Sequence, residues 1–210
     1  MKEFRESVKK LESHFSDQIS RRERVLKESR DVITSSSRAI ISVHSGKMKE
    51  AEKELAEARS LIGALKKPGE GPVSRYLVSP ETEFVEASAV FALAKGRQVP
   101  SRESLGASPE AYLLGLLDTV GELKRLTLDS IMKGSLAKAN RYFSVMEELY
   151  SVCSPLAVYD HVVNGARRKI DVARILVEDT RGLLTEETRR ESVNLSMARL
   201  QKKLEKRTRS

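Results

Sequence analysis

Apolar residues recur at spacings of three, four and seven from Glu3 to about Ser45, and this periodicity constrains the fold more than any other feature. It places one apolar stripe along a single long amphipathic helix. A second helix is expected from about Met48 to Leu65, because the segment KKPGEGP that follows cannot continue it. The two helices are therefore predicted to pack as an antiparallel hairpin.

Helical patterns also cover most of the remaining chain. Pro80 is expected to kink the third helix or delay its start, and Gly182 to end the sixth helix. Few segments are dense in β-branched residues, and aromatic residues make up only 5% of the chain. The sequence therefore predicts an all-α protein, a bundle of about six or seven helices. The later helices are expected at about Arg75–Lys95, Ser108–Gly134, Leu136–Cys153 and Leu156–Arg181, with a short turn of helix at Ser101–Leu105 and a last helix opened by Thr185.

The last predicted helix carries a narrow apolar seam. Its apolar residues repeat by four, three and four, which suits a partner helix, and they are Val193, Met197, Leu200 and Leu204. We therefore expect a helical domain at residues 1–182, followed by a C-terminal helix and basic tail at residues 183–210. Self-association is the simplest way to cover the seam.

The charge of the chain favours a polyanionic partner. The formal net charge is +8 and the sequence pI is about 9.6, which favours nucleic acid ahead of an anionic membrane. No apolar run approaches the roughly 20 residues needed to span a bilayer. The first residues, MKEFRESVKK, are charged where a signal peptide is apolar, so we expect a cytoplasmic protein. Cys153 is the only cysteine and is expected in the core.

Two pairs of acidic residues lie in otherwise apolar helical segments. Glu83 and Glu86, in ETEFVEASAVF, have no Lys or Arg within helical reach, and a buried carboxylate is costly unless something compensates it. Asp118 and Glu122 lie four residues apart and share one helix face. That second pair also fits a polar stripe that simply faces water, since Glu122 can pair with Arg125.

Packing the two segments together would bring up to four carboxylates into one pocket. Hard divalent cations such as Mg²⁺ favour oxygen ligands, and a bound Mg²⁺ can activate water next to a phosphodiester. Other metal sites are disfavoured, because the sequence has no Glu-x-x-His pair for a di-iron site and no zinc-ligand spacing. A Mg²⁺ site is therefore the chemistry that this pattern favours, with Mn²⁺ as an alternative cofactor.

Basic residues cluster in two places and can either face solvent or neutralise phosphates. The first cluster lies in SRRERVLKESRD of the first helix, and the second lies in ARRKIDVAR of the sixth. The candidate nucleic-acid-binding residues are Arg21, Arg22, Arg24, Lys27, Arg167, Arg168 and Lys169.

Longer stretches of the sequence resemble the translin family, and within it the branch of translin-associated factor X. The matching stretches run in the family's order from about Arg21 to Gly182, and are RRERVLKESRDVITSSSRAIISVH, EFVEA, YLLGLLDTVGEL, RLTLDSIMKG and RRKIDVARILVEDTRG. The resemblance implies an all-helical subunit that forms a hollow, octamer-like shell and binds RNA and DNA. The expected partners are RNA, single-stranded or duplex, single-stranded DNA, and further copies of the same chain. In the factor X branch it also implies RNA cleavage at a Mg²⁺-dependent carboxylate site.

The resemblance also assigns roles to the acidic residues. The family's catalytic acids lie in motifs that match Glu83, Glu86, Asp118 and Glu122. The first three are implied as metal ligands, and Glu122 as a further ligand or a water-orienting group. The resulting hypothesis is a Mg²⁺-dependent endoribonuclease, with two alternatives: a non-catalytic RNA- and DNA-binding oligomer of translin type, and a helical scaffold. The chain departs from the family pattern by continuing well beyond Gly182.

Overall fold

The computed structural model describes residues 1–208, with side chains described as far as Glu205. These residues form seven α-helices and two 3₁₀ segments, Gly71–Tyr76 and Ser154–Tyr159, and they contain no strand. The all-α prediction is therefore confirmed. The helices are α1 Lys2–His44, α2 Met48–Leu65, α3 Val78–Ala94, α4 Arg102–Leu105, α5 Pro109–Met132, α6 Leu136–Cys153 and α7 Ala166–Thr208.

The chain divides into two compact units, and the division falls inside α5. The first unit contains residues 1–119, and the second contains residues 120 onward. The predicted division between residues 1–182 and 183–210 therefore falls within the second unit, and it stays a prediction. The end of the predicted basic tail, residues 209–210, lies outside the described residues.

In the first unit, α1 and α2 pack through residues that are spaced by seven, or two helical turns. Two of the three such positions on α2 are alanine, so the helices can approach closely. The short connection at residues 45–47 makes the helices antiparallel neighbours, as predicted. The fully buried apolar residues at this spacing are Val25, Val32 and Ala39 on α1, and Ala51, Ala58 and Leu65 on α2.

The third helix, α3, is apolar on nearly every side and packs against both α1 and α2. It begins at Val78 and not at Arg75, so the predicted delay of its start is confirmed. Pro80 is its third residue, a position where a missing N–H costs no hydrogen bond because first-turn donors have no intrahelical partner. Residues 84–93, except half-buried Glu86, are buried within the chain itself.

In the second unit, α6 and α7 pack together, and the 3₁₀ segment Ser154–Tyr159 contacts both. The predicted helix over Leu156–Arg181 is wrong at its start, since α7 begins only at Ala166. The connection ends at Gly165, whose φ of 85° is strained for residues with a Cβ. Asp160 Oδ1 then accepts a 2.9 Å hydrogen bond from the Arg167 N–H and caps the first turn of α7.

The predicted helix end at Gly182 is also wrong, because α7 continues without a break to Thr208. A glycine inside a helix costs only about 1 kcal/mol relative to alanine. Contacts on both sides of Gly182 outweigh that cost: Arg181 pairs with Glu147 of α6 at 2.6 Å, and Leu184 is 4% exposed. The separate last helix that Thr185 was expected to open is the second half of α7.

The N-terminal part of α1 and the C-terminal part of α7 expose apolar side chains. At the start of α1 these are Phe4, Val8, Leu11, Phe15 and Ile19, and near the end of α7 they are Val193, Met197, Leu200 and Leu204. Both rows have spacings of four, three and four over their first four members. No helix in the described part of the chain is long and apolar enough to cross a membrane.

Candidate functional site

A buried carboxylate, Glu81, joins three helix ends in the first unit. It lies in the first turn of α3 and is 3% exposed. Its Oε1 pairs with the ammonium group of Lys66, which directly follows α2. Its Oε2 accepts a 2.8 Å hydrogen bond from the backbone N–H of Ser108, which directly precedes α5. Glu81 therefore caps the start of α5 and fixes it to α3.

The close packing of α3 and α5 depends on Gly115. A Cβ added at Gly115 would lie 2.7 Å from the carbonyl oxygen of Thr82 and 2.7 Å from the Cβ of Val85. Real Cβ atoms do not approach backbone this closely, so the helix contact requires glycine. Gly115 is the position on α5 where the backbones of the two helices can meet.

This contact lies next to three of the predicted site residues. Glu83 and Glu86 directly follow Thr82 and Val85 on α3, and Asp118 lies three residues after Gly115 on α5. Three residues rise only about 5 Å along a helix, so the three acids occupy neighbouring turns of two packed helices. All three are half-buried. Glu122 is also half-buried and follows one turn later on α5, beyond the division between the units.

Each of these four acids interacts with another group in the structure. The lack of Lys or Arg within helical reach of Glu83 and Glu86 therefore does not leave either carboxylate without a partner. No group of three or more His, Cys, Asp or Glu side chains lies together as a metal site within the part of the chain that the structure describes. The helix contact brings the acid-bearing turns together without forming a closed, three-ligand cage.

Carboxylate oxygens at this contact have the chemistry that Mg²⁺ prefers. Mg²⁺ usually keeps several waters and binds through one or two carboxylates together with substrate phosphates. A complete set of protein ligands is therefore not required before RNA is bound. One or two carboxylates from among Glu83, Glu86 and Asp118 would be enough to hold such a partly hydrated ion.

Arg21, a candidate RNA-binding residue, makes structural contacts. Its Nε donates a 3.0 Å hydrogen bond to the Pro68 carbonyl, and its Nη2 donates a 2.6 Å bond to the Glu70 carbonyl. It therefore holds the loop after α2 against α1. Arg24 pairs with Glu28 at 2.9 Å along α1, and Lys27 is exposed.

Arg22 contacts an aromatic side chain that the sequence analysis did not single out. Its Nε donates a 3.0 Å hydrogen bond to the hydroxyl oxygen of Tyr76, and Arg75 Nη2 donates a 2.9 Å bond to the same oxygen. The hydrogen bond from Arg22, and then that from Arg75, holds the pKa of the Tyr76 phenol below its usual range. We call Arg22, Arg75 and Tyr76 the arginine–tyrosine cluster.

The second basic segment lies in the first turn of α7, in the second unit. Arg167 and Arg168 are exposed, Lys169 is half-buried, and Ile170 after them is buried. The three basic side chains therefore lie on or near the surface at the start of the helix. Arg174, further along α7, is also exposed.

Sequence reasoning missed Glu81, Gly115 and Arg75 as site-forming residues. Glu81 directly follows Pro80 near the start of a helix, and nothing local in the sequence indicates that it reaches Ser108. Gly115 did carry a signal, because glycine within the apolar run YLLGLL is unfavourable in a helix unless a close contact requires it.

Together, the fold and this site define an all-α protein with acid-bearing turns at a tight helix contact and exposed basic clusters. A family model described as "Translin family" matches residues 74–179. An uncharacterized protein of Methanocaldococcus jannaschii is 34% identical over 175 residues, covering 82% of this chain and 78% of that protein. The chain belongs to the translin family.

Solved structures show the same fold. The structure titled "Structure of AfC3PO - duplex RNA complex" has a TM-score of 0.77 and 28% identity, covering 87% of this chain and 96% of that chain. "Crystal structure of AfC3PO" gives a TM-score of 0.73 and 30% identity, covering 89% and 96%. "Crystal structure of apo-NeC3PO", at 22% identity, has a TM-score of 0.75 over 86% and 96%, and it shows the fold alone.

Proposed function

We propose that this protein is a Mg²⁺-dependent endoribonuclease of the factor X type that binds RNA and cleaves it as an oligomer. The observation that carries the proposal is the contact of Gly115 with Thr82 and Val85, because it holds the acid-bearing turns of α3 and α5 together. Membership of the translin family adds support, since the four acids occupy the motifs noted in the sequence.

In this proposal Glu83, Glu86 and Asp118 hold Mg²⁺ through their carboxylate oxygens. A bound Mg²⁺, or Mn²⁺ in its place, supplies a more acidic water and neutralises charge on the phosphodiester. The half-buried acids attract a cation more strongly than fully solvated ones would, because the local dielectric is lower. Glu122 would accept a hydrogen bond from the attacking water or serve as a further ligand.

RNA binding is supported by charge and by a related structure. The net charge of +8 attracts a polyanion. The AfC3PO structure with a TM-score of 0.77 is a complex with duplex RNA. We propose that RNA binds to basic residues of both units and that single-stranded DNA can also bind. Of the predicted residues, exposed Arg22, Lys27, Arg167 and Arg168 are better placed for this than Arg21, whose guanidinium holds a loop.

The oligomer is proposed to be a closed, octamer-like assembly of this one chain. The exposed apolar rows of α1 and α7 support self-association, because contiguous apolar surface is uncommon in monomers. Light scattering on the purified chain should report a large homo-oligomer without an added partner. Replacing both Val193 and Leu200 by glutamate should shift it to smaller species. A monodisperse wild-type monomer at micromolar concentration would contradict the assembly.

Metal binding can be tested without measuring cleavage. Mg²⁺ should raise the melting temperature of the wild-type chain, because a ligand that binds only the folded state adds about 2.7 kcal/mol at 100 times its Kd. Glu86→Gln and Asp118→Asn should lose that rise, whereas Glu57→Gln, at an exposed acid of α2, should keep it. An equal Mg²⁺ response in all four proteins would contradict the proposed ligands.

A second candidate function is a nucleic-acid-binding oligomer without catalysis. It is favoured by one observation, the absence of a three-ligand cluster among the described side chains. In that case the acids would be structural, RNA would bind at the same affinity with or without Mg²⁺, and no variant of Glu86 or Asp118 would affect a metal response.

A further inference from the structure

Two cationic side chains from different elements converge on one oxygen in the first unit. Arg22 comes from α1 and Arg75 from the 3₁₀ segment before α3, and their donor nitrogens lie 3.0 and 2.9 Å from the Tyr76 hydroxyl oxygen. Both arginine side chains are exposed, and Tyr76 is half-buried. The two like charges are therefore held close together at the protein surface.

The elements that carry these side chains are tied to the rest of the first unit by packing and hydrogen bonds. The Tyr76 ring packs against the hydrophobic core that includes Val25, Val73 and Leu77. Arg21, next to Arg22 in sequence, ties α1 to the loop that leads into the 3₁₀ segment. Much of the entropy cost of bringing two guanidinium groups together is therefore met by folding, before any ligand arrives.

The chemistry of the cluster matches a phosphate group. Guanidinium groups donate paired hydrogen bonds to phosphate oxygens, and two of them around one point compensate the charge of a phosphodiester. The tyrosine ring is not open for base stacking, since the guanidinium carbons of Arg22 and Arg75 lie over it at 5.2 and 4.9 Å from its centroid. The cluster is therefore suited to the backbone of a nucleic acid and not to its bases.

We propose that Arg22 and Arg75, gathered by Tyr76, form a binding site for a single backbone phosphate of RNA. The site reads no base sequence. This inference rests on the proposed RNA-binding function and assigns it a defined contact point. The first basic segment is therefore not a uniform phosphate-binding patch, because Arg21 and Arg24 already contact Pro68, Glu70 and Glu28.

The test is the salt dependence of duplex RNA binding by the full chain, measured for two unrelated sequences. Arg22→Gln and Arg75→Gln should each weaken binding about 10- to 100-fold, as expected for loss of a charge-assisted hydrogen bond. The double variant should flatten the log–log salt slope by about one, since one phosphate is lost. Arg97→Gln, at an exposed arginine after α3, is the matched control and should bind like wild type.

Two further variants separate geometry from charge. Tyr76→Phe keeps the ring and both charges but removes the shared oxygen, so affinity should fall while the salt slope stays the same. Arg75→Lys keeps the charge and should also preserve the slope, with weaker binding than wild type.

The possible failures are distinguishable. A wild-type chain that does not bind duplex RNA overturns both the proposed function and this site. A wild-type chain that binds, with a double variant of unchanged slope, overturns the site alone. If the double variant instead flattens the log–log salt slope by about two, the arginines contact two separate phosphates, and the shared site is overturned.

Discussion

Gly115 of α5 lies against the carbonyl oxygen of Thr82 in α3, at a distance that leaves no room for a side chain. A Cβ at Gly115 would be 2.7 Å from that oxygen. This contact determines where the acid-bearing turns meet, because Glu83 follows Thr82 and Asp118 lies one turn beyond Gly115. The candidate catalytic site therefore depends on a residue that has no side chain.

Substituting Gly115 tests this dependence. Gly115→Ala should destabilise the fold by about 1–3 kcal/mol, since the new Cβ forces the packed backbones apart. Gly121→Ala on the same helix is the control, because its Cβ would meet only Leu176 at an ordinary 3.9 Å. That variant should be neutral or more stable by up to about 1 kcal/mol. Denaturant unfolding of the two proteins provides the comparison, and equal stabilities would contradict the packing account.

Glu81 is predicted to be a structural acid and not a catalytic one. Glu81→Gln removes the charge that compensates Lys66 and weakens the cap on α5, so it should cost about 1–3 kcal/mol of unfolding free energy. The variant should keep its Mg²⁺ response if it remains folded. Thermal melts with and without Mg²⁺ measure both quantities. A stable variant that has lost its Mg²⁺ response would instead move Glu81 into the metal site.

The continuity of α7 predicts opposite effects for two glycines. Gly182 lies inside the helix with no atom within 4 Å of an added Cβ, so Gly182→Ala should stabilise the protein by about 1 kcal/mol. Gly134 has a φ of 71° in the turn after α5, so Gly134→Ala should destabilise it. The melting temperatures of the two variants measure both effects. A destabilising Gly182→Ala substitution would indicate a break in the helix at Gly182.

Most of the helical fold follows from local sequence patterns. The bounds of α2 and α6 match the prediction at both ends, because Pro, Gly and apolar spacing mark them clearly. The errors concern α7, where local glycine chemistry predicted a stop at Gly182. Tertiary contacts outweigh that local preference, namely the Arg181 pair with Glu147 and the burial of Leu184.

The candidate site is less predictable than the fold, because its residues act across long separations in sequence. Spacing alone identifies Glu83, Glu86, Asp118 and Glu122 as carboxylates on helix faces. It cannot show that Glu81 reaches Ser108, or that Arg21 holds the loop at Pro68. Those assignments depend on how distant segments pack, and a run of basic residues looks the same whether its members bind loops or phosphates.

The arginine–tyrosine cluster predicts an unusual titration. Tyr76 should ionise at lower pH than an ordinary phenol, whose pKa is 10.0, because Arg22 and Arg75 favour the phenolate. Because the folded-state pKa is depressed, the hydrogen bonds from the two arginines to the phenolate add to the stability of the fold. That added stability is fully present at pH values above the unfolded-state pKa and is lost as pH falls through the folded-state pKa. Ultraviolet absorbance should show one tyrosinate appearing early, and Arg22→Gln should move it back towards 10.0.

RNA binding is linked to the same ionisation. A bound phosphate disfavours the phenolate, so duplex RNA should raise the pKa of Tyr76, and RNA affinity should fall as pH rises through it. Tyr76→Phe should abolish both effects. If the Tyr76→Phe variant still shows a tyrosine that ionises at unusually low pH, that ionisation belongs to another tyrosine.

The central claim is tested most directly by RNA cleavage with the purified chain under control of the metal. Wild-type protein should cleave RNA with Mg²⁺, stop when EDTA is added, and resume when Mg²⁺ is restored. Glu86→Gln and Asp118→Asn should cut at least about 100-fold more slowly while they still bind RNA, and the control Glu57→Gln should match wild type. Full cleavage in EDTA, or an Asp118→Asn variant as active as wild type, would contradict the claim.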